Sequence, residues 1–356
     1  MDDPIEDLAV LWRWFAANNC SGYSPLYERI ALSVADDREL LELVQSSPPS
    51  SHLPPALLAA SHYLVLGGVD HPLAEVYAGR SAVDPVPMFR DLCLGHRDEV
   101  LAVLATRHIQ TNDCGRCTAI GPGLTWFSNQ IDGPFALVDV GASAGLNLLC
   151  DRYLLDYGDH GVTGPADSAV RIDCAVTGGD PPVAPHLPPF ADRIGVDRSP
   201  VDLADPDDAR WLLACVWPDT GRLERTAASI ELAQADLPRL IAGDANEMLP
   251  GVLAGLDTGV PAVVMTTWSF AYLSLEQRHR FVELLEEASA DRPLGWLSAD
   301  ADGVVDMFAG ASGPHENGTV PNVLGAALFE GGTHADSLLA LVHQHGGWID
   351  WRAGPL

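Results

Sequence analysis

Long hydrophobic runs are absent from this sequence of 356 residues. No apolar stretch approaches the roughly 18 uncharged residues that suggest a membrane-spanning helix, so no membrane partner is expected. The N-terminal stretch "MDDPIEDLAV" is acidic and has no positively charged segment, which is not the pattern of a secretory signal peptide. The sequence therefore predicts a cytoplasmic protein.

Positive charge is scarce. The chain carries 20 Lys+Arg against 49 Asp+Glu, which gives a formal net charge of −29. Phosphate backbones are bound by basic patches, so nucleic acid is not an expected partner. The same negative field attracts a cationic or amine-bearing small molecule. The alternative is that most of these acids only keep the protein soluble.

A cysteine framework is also missing, because the seven cysteines are scattered and odd in number. One pair, Cys114 and Cys117, is separated by two residues in "QTNDCGRC". A structural zinc site commonly needs a second such pair, and a thioredoxin-like centre should follow a strand. Neither condition is met. We expect no metal and two buried, inert thiols.

The first 130 residues show little strand-like alternation and several helical patterns. Apolar residues recur at helical spacing in residues 7–17, "SPLYERIALSVAD", "PPALLAASHYLVLGG" and "HRDEVLAVLATRHIQ". Ser24 is the expected N-cap of one helix, with Pro25 at its first position. His62 lies in an apolar helix and is expected to be a satisfied core group. Residues 1–130 are therefore predicted to form an all-α N-terminal domain, with a cap or substrate-binding role.

From residue 131 onwards strands and helices alternate. The stretch "FALVDVGA" is a buried strand pattern, and "AGLNLLCDRYLLDYG" after it is interpreted as a helix. Further strand patterns are "SAVRIDCAVTG", "DRIGVDRS", "RLIAGD", "AVVMTTWSF", "PLGWLSAD", "VLGAALFE" and "GWIDW". The alternation predicts a doubly wound α/β sheet over residues 131–356. Two long loops interrupt it, a proline-rich one at 178–193 and one around His315.

The stretch "VDVGASAGLN" places a glycine turn directly after a buried strand. A P-loop would need a lysine here, and a dinucleotide fold would need G-x-G-x-x-G; neither is present. The remaining pattern, Asp-x-Gly-x-Ser-x-Gly, resembles the first motif of the S-adenosylmethionine-dependent methyltransferases. That resemblance implies cofactor contacts at Asp139, Gly141, Ser143, Gly145 and Asn147. A purely structural strand–helix turn is the alternative.

Two later acids follow strand patterns in the order that such a fold needs. An acid that ends the second strand can accept hydrogen bonds from ribose hydroxyls, and Asp197 in "RIGVDRSP" is preferred for this position. Asp173 in "VRIDCAV" competes for it. Asp244 and Ala245 in "IAGDANEM" are expected beside the adenine. Each acid, taken alone, is also compatible with a capped turn.

Over nearly its full length the chain resembles an actinobacterial family, domain of unknown function 2332. The likeness rests on "SPLYERIA", "LLAASHYLVLGG", "RHIQTNDCGR", "VDVGASAGLNL", "RIGVDRSPVDLADPDDARWLLACVWP", "IAGDANEML" and "HQHGGWIDW". The resemblance implies a methyltransferase-like, Rossmann-type C-terminal half but brings no settled reaction. A glutamate is frequent in the family where Asp113 stands. A His-Ser pair is frequent where Thr266, Thr267 and Trp268 stand.

The polar residues around the cysteine pair are expected to matter more than the thiols. Gln110, Asn112 and Arg116 are predicted to cover the glycine turn and to bind substrate together with Trp268. The planar guanidinium of Arg116 suits a carboxylate, sulfate or phosphate. The alternative is that Arg116 pairs with an acid and fixes the domains. Thr266, Thr267 and Arg116 are the catalytic candidates.

These patterns predict a methyltransferase-like enzyme that uses S-adenosylmethionine and acts on a small molecule, either amine-bearing or a specialised metabolite. One alternative is a fold that has lost the cofactor. It would then catalyse another alkylation-like step, such as ring closure with loss of an anionic leaving group. The other is a non-catalytic partner subunit. Homo- and hetero-oligomers are both compatible with the sequence, which does not identify the substrate.

Overall fold

The computed structural model describes residues 3–308 and 322–353. The predicted loop around His315 lies outside these residues. The α-helices are α1 Pro4–Phe15, α2 Pro25–Asp36, α3 Arg38–Gln45, α4 Pro54–Leu66, α5 Leu73–Tyr77, α6 Pro85–Gly95, α7 Arg97–Thr106, α8 Cys117–Ser128, α9 Pro206–Ala214, α10 Leu223–Ala235, α11 Ala245–Ala254 and α12 Leu275–Ala288. The strands are β1 Phe135–Val140, β2 Leu154–Asp156, β3 Val162–Thr163, β4 Arg171–Asp173, β5 Ala175–Val176, β6 Phe190–Asp197, β7 Arg239–Ala242, β8 Ala262–Thr267, β9 Leu294–Ala301, β10 Asn322–Glu330, β11 Thr333–Val342 and β12 Trp348–Trp351.

The chain forms two compact units, and the described residues of the first lie in Met1–Thr111 and Asp202–Ala227. This helical unit contains α1 to α7 and α9 around one apolar core. α2 begins as the sequence predicts, because the side chain of Ser24 accepts a hydrogen bond from Tyr27 N at 3.1 Å and Pro25 follows it. His62 on α4 is 1% exposed, and its Nδ1 lies 3.1 Å from the carbonyl oxygen of Ala214.

The second unit comprises the described residues of Asn112–Val201 and Ala228–Leu356. Its main sheet has nine strands in the order β5-β12-β11-β10-β9-β8-β1-β6-β7. The five strands β7, β6, β1, β8 and β9 run parallel to one another. β10, β11 and β12 continue the sheet in antiparallel fashion. The predicted α/β character of this unit is confirmed, and its sheet is mostly parallel. The doubly wound, Rossmann-like arrangement stays a prediction.

Helices cover both faces of the parallel part. Successive side chains of a strand point to opposite faces, so neighbouring residues of β9 contact different layers of helices. Trp296 packs in one core with residues of α11 and α12. Leu297 faces α8, where a Cβ on Gly123 would collide with its side chain. The inner strands are therefore buried on both faces, which explains the continuous apolar pattern of β1 and β8.

The segment after the glycine turn is not the predicted helix. Residues Leu146–Arg152 form two short 3-10 turns that are separated by a kink at Leu149. β2 follows and pairs with β3 and β4 in a separate sheet of three strands. Continuous apolar character does not distinguish a short helix from a buried strand, and this explains the wrong prediction. Asp173, on β4, belongs to this small sheet.

The remaining differences concern boundaries. The predicted domain division lay at residue 130, whereas α8 groups with the sheet, and α9 groups with the helical unit. The strand pattern "SAVRIDCAVTG" splits into β4 and β5, which lie in different sheets. β11 was not predicted. Among the described residues, no helix combines the length and apolarity that crossing a bilayer requires.

Candidate functional site

The carboxyl ends of the five parallel strands lie at one edge of the main sheet. From β1 the chain first adds β6 and β7 on one side and then β8 and β9 on the other. The strand order therefore reverses between β1 and β8. In open α/β sheets, ligands bind outside the carboxyl ends of the strands at such a point. The residues at the ends of β1 and β8 are accordingly the first candidates for a site.

Asp139, the penultimate residue of β1, is a buried carboxylate. It is 1% exposed, and neither of its oxygens has a partner among the described residues. Burial raises the pKa of Asp139 to about 7, while Arg116 acts in the opposite direction. Buried carboxylates are normally paired or hydrogen-bonded. An unsatisfied one at this position is suited to a ligand that donates hydrogen bonds or carries positive charge.

Arg116 supplies the opposite charge and is also incompletely satisfied. Its Nη1 donates to the carbonyl oxygen of Thr267 at 3.3 Å, and its Nε has no partner among the described residues. Its guanidinium carbon lies 4.8 Å from the ring centroid of Trp268, a cation–π contact. Burial lowers the pKa of Arg116 from its usual value, and Asp113, Asp139 and other acids oppose this shift.

The two threonines at the end of β8 face opposite sides of the sheet. Thr267 faces the site, where its Oγ1 lies 3.4 Å from Asn147 Nδ2. Asn147 Oδ1 in turn lies 3.6 Å from the sulfur of Cys117. Thr266 faces the opposite core, and its Oγ1 accepts a hydrogen bond from the indole of Trp296 at 2.9 Å. Of the two threonines among the three catalytic candidates, only Thr267 lies in the cluster with Arg116.

The glycine turn is tight, and a neighbouring loop closes over part of it. Gly141 and Gly145 have φ values of +84° and +74°, and Ser143 has +52°. A Cβ on Gly141 would collide with Ser269, whose Oγ donates to the carbonyl oxygen of Val140 at 2.6 Å. Among the described non-glycine residues, only Ser143 and Trp268 have positive φ. Such backbone strain clusters at functional sites.

The turn sequence also matches G-x-S-x-G, the pattern of the serine-hydrolase nucleophile turn. A hydrolase turn would lead into an α-helix, whereas here it leads into 3-10 turns. In addition, the carboxylate of Asp197 accepts a hydrogen bond from Ser143 N at 2.8 Å. A carboxylate at this place repels the oxyanion that acyl transfer generates. The turn is therefore better suited to a cation than to ester hydrolysis.

The two later acids lie where the sequence predicted, at the ends of consecutive strands. Asp197 ends β6, beside β1, and its second oxygen accepts from Ser199 N at 2.8 Å. Asp244 follows β7 and caps α11, whose first residue is Ala245, by accepting from Asn246 N at 3.0 Å. Asp244 also pairs with Arg198 at 3.0 Å. Both acids are half-buried and are satisfied by their own chain.

The predicted substrate segment divides between the two units. Asn112 belongs to the sheet unit, and its Oδ1 accepts a hydrogen bond from Leu146 N at 2.8 Å, directly after the glycine turn. Arg116 and Trp268 belong to the same unit. Gln110 belongs to the helical unit. Asn112 and Arg116 therefore share a unit with the turn that they were predicted to cover, and Trp268, predicted to bind substrate with them, belongs to that unit too.

Three polar residues near Arg116 were not among the predicted site residues. Asp300, on β9, is buried, and its Oδ2 accepts from Phe270 N at 3.1 Å. Burial raises its pKa to about 7. His345 Nδ1 lies 2.8 Å from Asp113 Oδ2, although the two residues are 232 positions apart in the chain. No local pattern relates such distant residues, which is why sequence analysis did not pair them.

The cysteine pair is buried, as predicted. Cys114 and Cys117 are both free thiols at 0% exposure. Burial raises the pKa of Cys117 well above its usual value, so its thiol stays protonated. Among the described residues, no group of three or more His, Cys, Asp or Glu side chains is arranged to hold a metal ion.

The comparison with known proteins shows the family and leaves the reaction open. Among curated proteins, none matches this chain. A family model matches residues 9–351; its description refers to bacteria in general and to no reaction, so the actinobacterial and methyltransferase parts of the resemblance are not shown. The chain belongs to this family, DUF2332, which is described as uncharacterized protein conserved in bacteria.

Proposed function

We propose that the sheet unit binds S-adenosylmethionine and that the protein transfers a methyl group to a small, amine-bearing molecule. The observation that carries this proposal is the buried carboxylate of Asp139, which has no hydrogen-bond partner among the described residues and lies where the strand order reverses. A buried acid of this kind is costly to keep unless a ligand satisfies it. The acidic chain as a whole favours a cationic ligand.

The charges beside β1 fit the amino-acid part of this cofactor. Asp139 offers two acceptor oxygens, and Arg116 offers donors, including an Nε–H that has no partner among the described residues. Together they are complementary to one ammonium and one carboxylate group. Arg116 suits the carboxylate because its guanidinium is planar and presents several donors in a fixed fork. Asp139 suits the ammonium because an ionised carboxylate only accepts.

The acids at the ends of β6 and β7 fit the nucleoside part. Asp197 uses one lone pair of each oxygen for the amides of Ser143 and Ser199. An ionised carboxylate has about four lone-pair positions, so Asp197 keeps capacity for ribose hydroxyls. Asp244 is half-buried and follows the next strand, on the side expected for the adenine.

When bound, S-adenosylmethionine supplies an electrophilic methyl group on a sulfonium. The residues of this chain bind and orient the reactants in a buried site, and alignment alone contributes much of the rate in such reactions. Thr267 and Asn147 line the end of β8, where the acceptor would lie. Arg116, stacked on Trp268, holds an anionic group of the cofactor or the substrate.

A second candidate function is favoured by one observation. Ser269 fills the space over Gly141, so this part of the turn is covered by the chain itself. A site that has lost the cofactor would have this feature. Arg116 would then bind an anionic leaving group while an amine of the same substrate closes a ring. The same buried Asp139 would hold the amine.

Isothermal titration calorimetry with S-adenosylmethionine and S-adenosylhomocysteine tests the proposal. We expect micromolar binding of both by the full chain. Asp139→Asn is the test variant, because it removes the charge from the site. Thr266→Val is its matched control, because it changes a neighbouring side chain on the opposite face of the sheet. Binding that is absent in folded wild-type protein would exclude the first function and leave the second.

A further inference from the structure

A second polar pair lies beside Arg116 and takes no part in the proposed cofactor contacts. Asp113 is buried, and its Oδ1 accepts a hydrogen bond from Gly115 N at 2.8 Å. This contact caps the 3-10 turn Cys114–Arg116. Its other oxygen lies 2.8 Å from Nδ1 of His345. One carboxylate thus joins the turn that carries Arg116 to a histidine from the C-terminal part of the chain.

The loop that carries His345 is fixed against this turn by the backbone. Thr118 Oγ1 donates to the carbonyl oxygen of Gly346 at 3.0 Å. Gly346 has a φ of +76°, and a Cβ there would collide with the carbonyl oxygen of Gly115. Only glycine permits both this conformation and this approach. The position of His345 next to the Arg116 turn is therefore built into the fold.

The hydrogen bond to Asp113 determines which ring nitrogen of His345 is basic. An ionised carboxylate accepts only, so Nδ1 of His345 donates, and the neutral ring keeps its lone pair on Nε2. His343 has the opposite arrangement. Its Nδ1 accepts from the backbone nitrogens of His345 and Gly347 at 3.3 and 3.2 Å, so its proton is on Nε2. The two rings lie 5.7 Å apart, and His343 is a natural control.

We propose that His345 is the general base of the site, and that Asp113 is the residue that positions it. His345 Nε2 takes the proton as the N–H or O–H bond of the substrate's nucleophile breaks. The electron pair stays on the nucleophile, which uses it to form the new bond to carbon, while the bond from that carbon to its leaving group breaks and the leaving group departs with that bond's electron pair. Asp113 stabilises the resulting imidazolium. A carboxylate that orients a histidine and supports its charged form is the arrangement used in general-base catalysis.

This inference rests on the proposed function in requiring a ligand beside Arg116, but either candidate reaction needs such a base. Two measurements on the full chain test it. Nitrogen NMR of the histidine side chains reports the tautomer of each ring and its titration midpoint. Diethyl pyrocarbonate acylates neutral imidazole nitrogen, and peptide mass spectrometry assigns the modified residue. Both are applied to wild type, Asp113→Asn and His343→Gln, where Asn retains an acceptor for Gly115 N.

We expect His345 to carry its proton on Nδ1 and to titrate at lower pH in Asp113→Asn, because the opposite charge is lost. S-adenosylhomocysteine or sulfate, the latter as an anion probe for Arg116, should abolish modification of His345. A proton on Nε2 would overturn the inference. So would modification at an unchanged rate when calorimetry shows S-adenosylhomocysteine saturating. Shielding by sulfate without any binding of S-adenosylhomocysteine would reject the cofactor and retain the base.

Discussion

The helical unit and the sheet unit both bury titratable side chains, but they satisfy them differently. His62 in the helical unit is buried with a carbonyl partner and an aromatic neighbour, Tyr77, whose ring lies 5.2 Å away. Asp139 in the sheet unit is buried to the same degree without a hydrogen-bond partner among the described residues. The first arrangement is complete among the described residues, whereas the carboxylate oxygens of the second are satisfied by none of them.

The same contrast separates neighbouring strand ends within the sheet unit. Asp197 and Asp244 accept hydrogen bonds from backbone amides, so each contributes to the fold even without a ligand. The carboxylate of Asp139 accepts no such bond from any residue that the structure describes. Position at a strand end is therefore a weak indication of a binding role, and an unsatisfied buried charge is a stronger one. Variants that change one kind of group and leave the other intact test this contrast.

The largest expected effect concerns His62. Burial lowers its pKa to about 4 from an ordinary 6.5. The folded state therefore binds its proton less readily than the unfolded state, and the stability is present above pH 6.5 and is lost as pH falls towards 4. The loss amounts to about 3 kcal/mol. Hydrogen exchange of α4 amides in wild type and His62→Gln should show it, and equal pH slopes in both would contradict it.

Asp139→Asn should weaken ligand binding even though Asp197 and Asp244, the acids at the ends of β6 and β7, remain in place. Hydrogen bonds to a charged group contribute about 1.5–3 kcal/mol, which corresponds to roughly 10- to 100-fold in affinity for S-adenosylhomocysteine. 5′-Methylthioadenosine has no amino-acid group, so its affinity should not change. Calorimetry with both ligands separates the two parts. An equal loss for both would show that Asp139 supports the turn instead of binding the amino-acid group.

The pKa of about 7 at Asp139 predicts a pH dependence of binding. Its raised pKa means that the carboxylate is ionised only above this value, and only the ionised form accepts from an ammonium through both oxygens. Affinity should therefore fall below pH 7, by at most about tenfold per pH unit for one proton. Asp300 titrates in the same range. Asp139→Asn distinguishes them, because a slope that persists in this variant would point to Asp300.

Thr266→Val should affect stability and leave binding unchanged. The substitution removes the acceptor of the Trp296 indole and leaves a buried donor without a partner, which costs about 2 kcal/mol. Thr267→Val on the site face should weaken binding and leave stability unchanged. Stability is unchanged because the contact that is lost, from Thr267 Oγ1 to Asn147, is long at 3.4 Å. Thermal unfolding and calorimetry of the pair check this. Equal effects of the two variants would mean that the faces are not separated.

Local patterns predicted the parts of the site that are close in sequence. The strand of Asp139 was predicted from an apolar run, which is buried in the structure. The turn was predicted from the glycines that follow it, which adopt positive φ. β11 was missed because its first half is exposed and its second half buried, so no alternation of period two marks it. The pairing of Asp113 with His345 and the contact of Ser269 with Gly141 arise from tertiary packing, which no spacing along the chain encodes.

The smallest expected effect is at Asp244, an acid whose hydrogen bonds are supplied by its own chain. Asp244→Ala removes the N-cap of α11 and should lower the free energy of unfolding by about 1 kcal/mol. The ion pair with Arg198 adds nothing measurable, because the Arg198 side chain is 75% exposed. Asp244→Asn keeps an acceptor for Asn246 N and should restore the stability, as urea titration would show. If Asp244→Ala weakened S-adenosylhomocysteine binding more than Asp139→Asn, satisfied acids would be the binding residues, and the contrast drawn from Asp139 would be wrong.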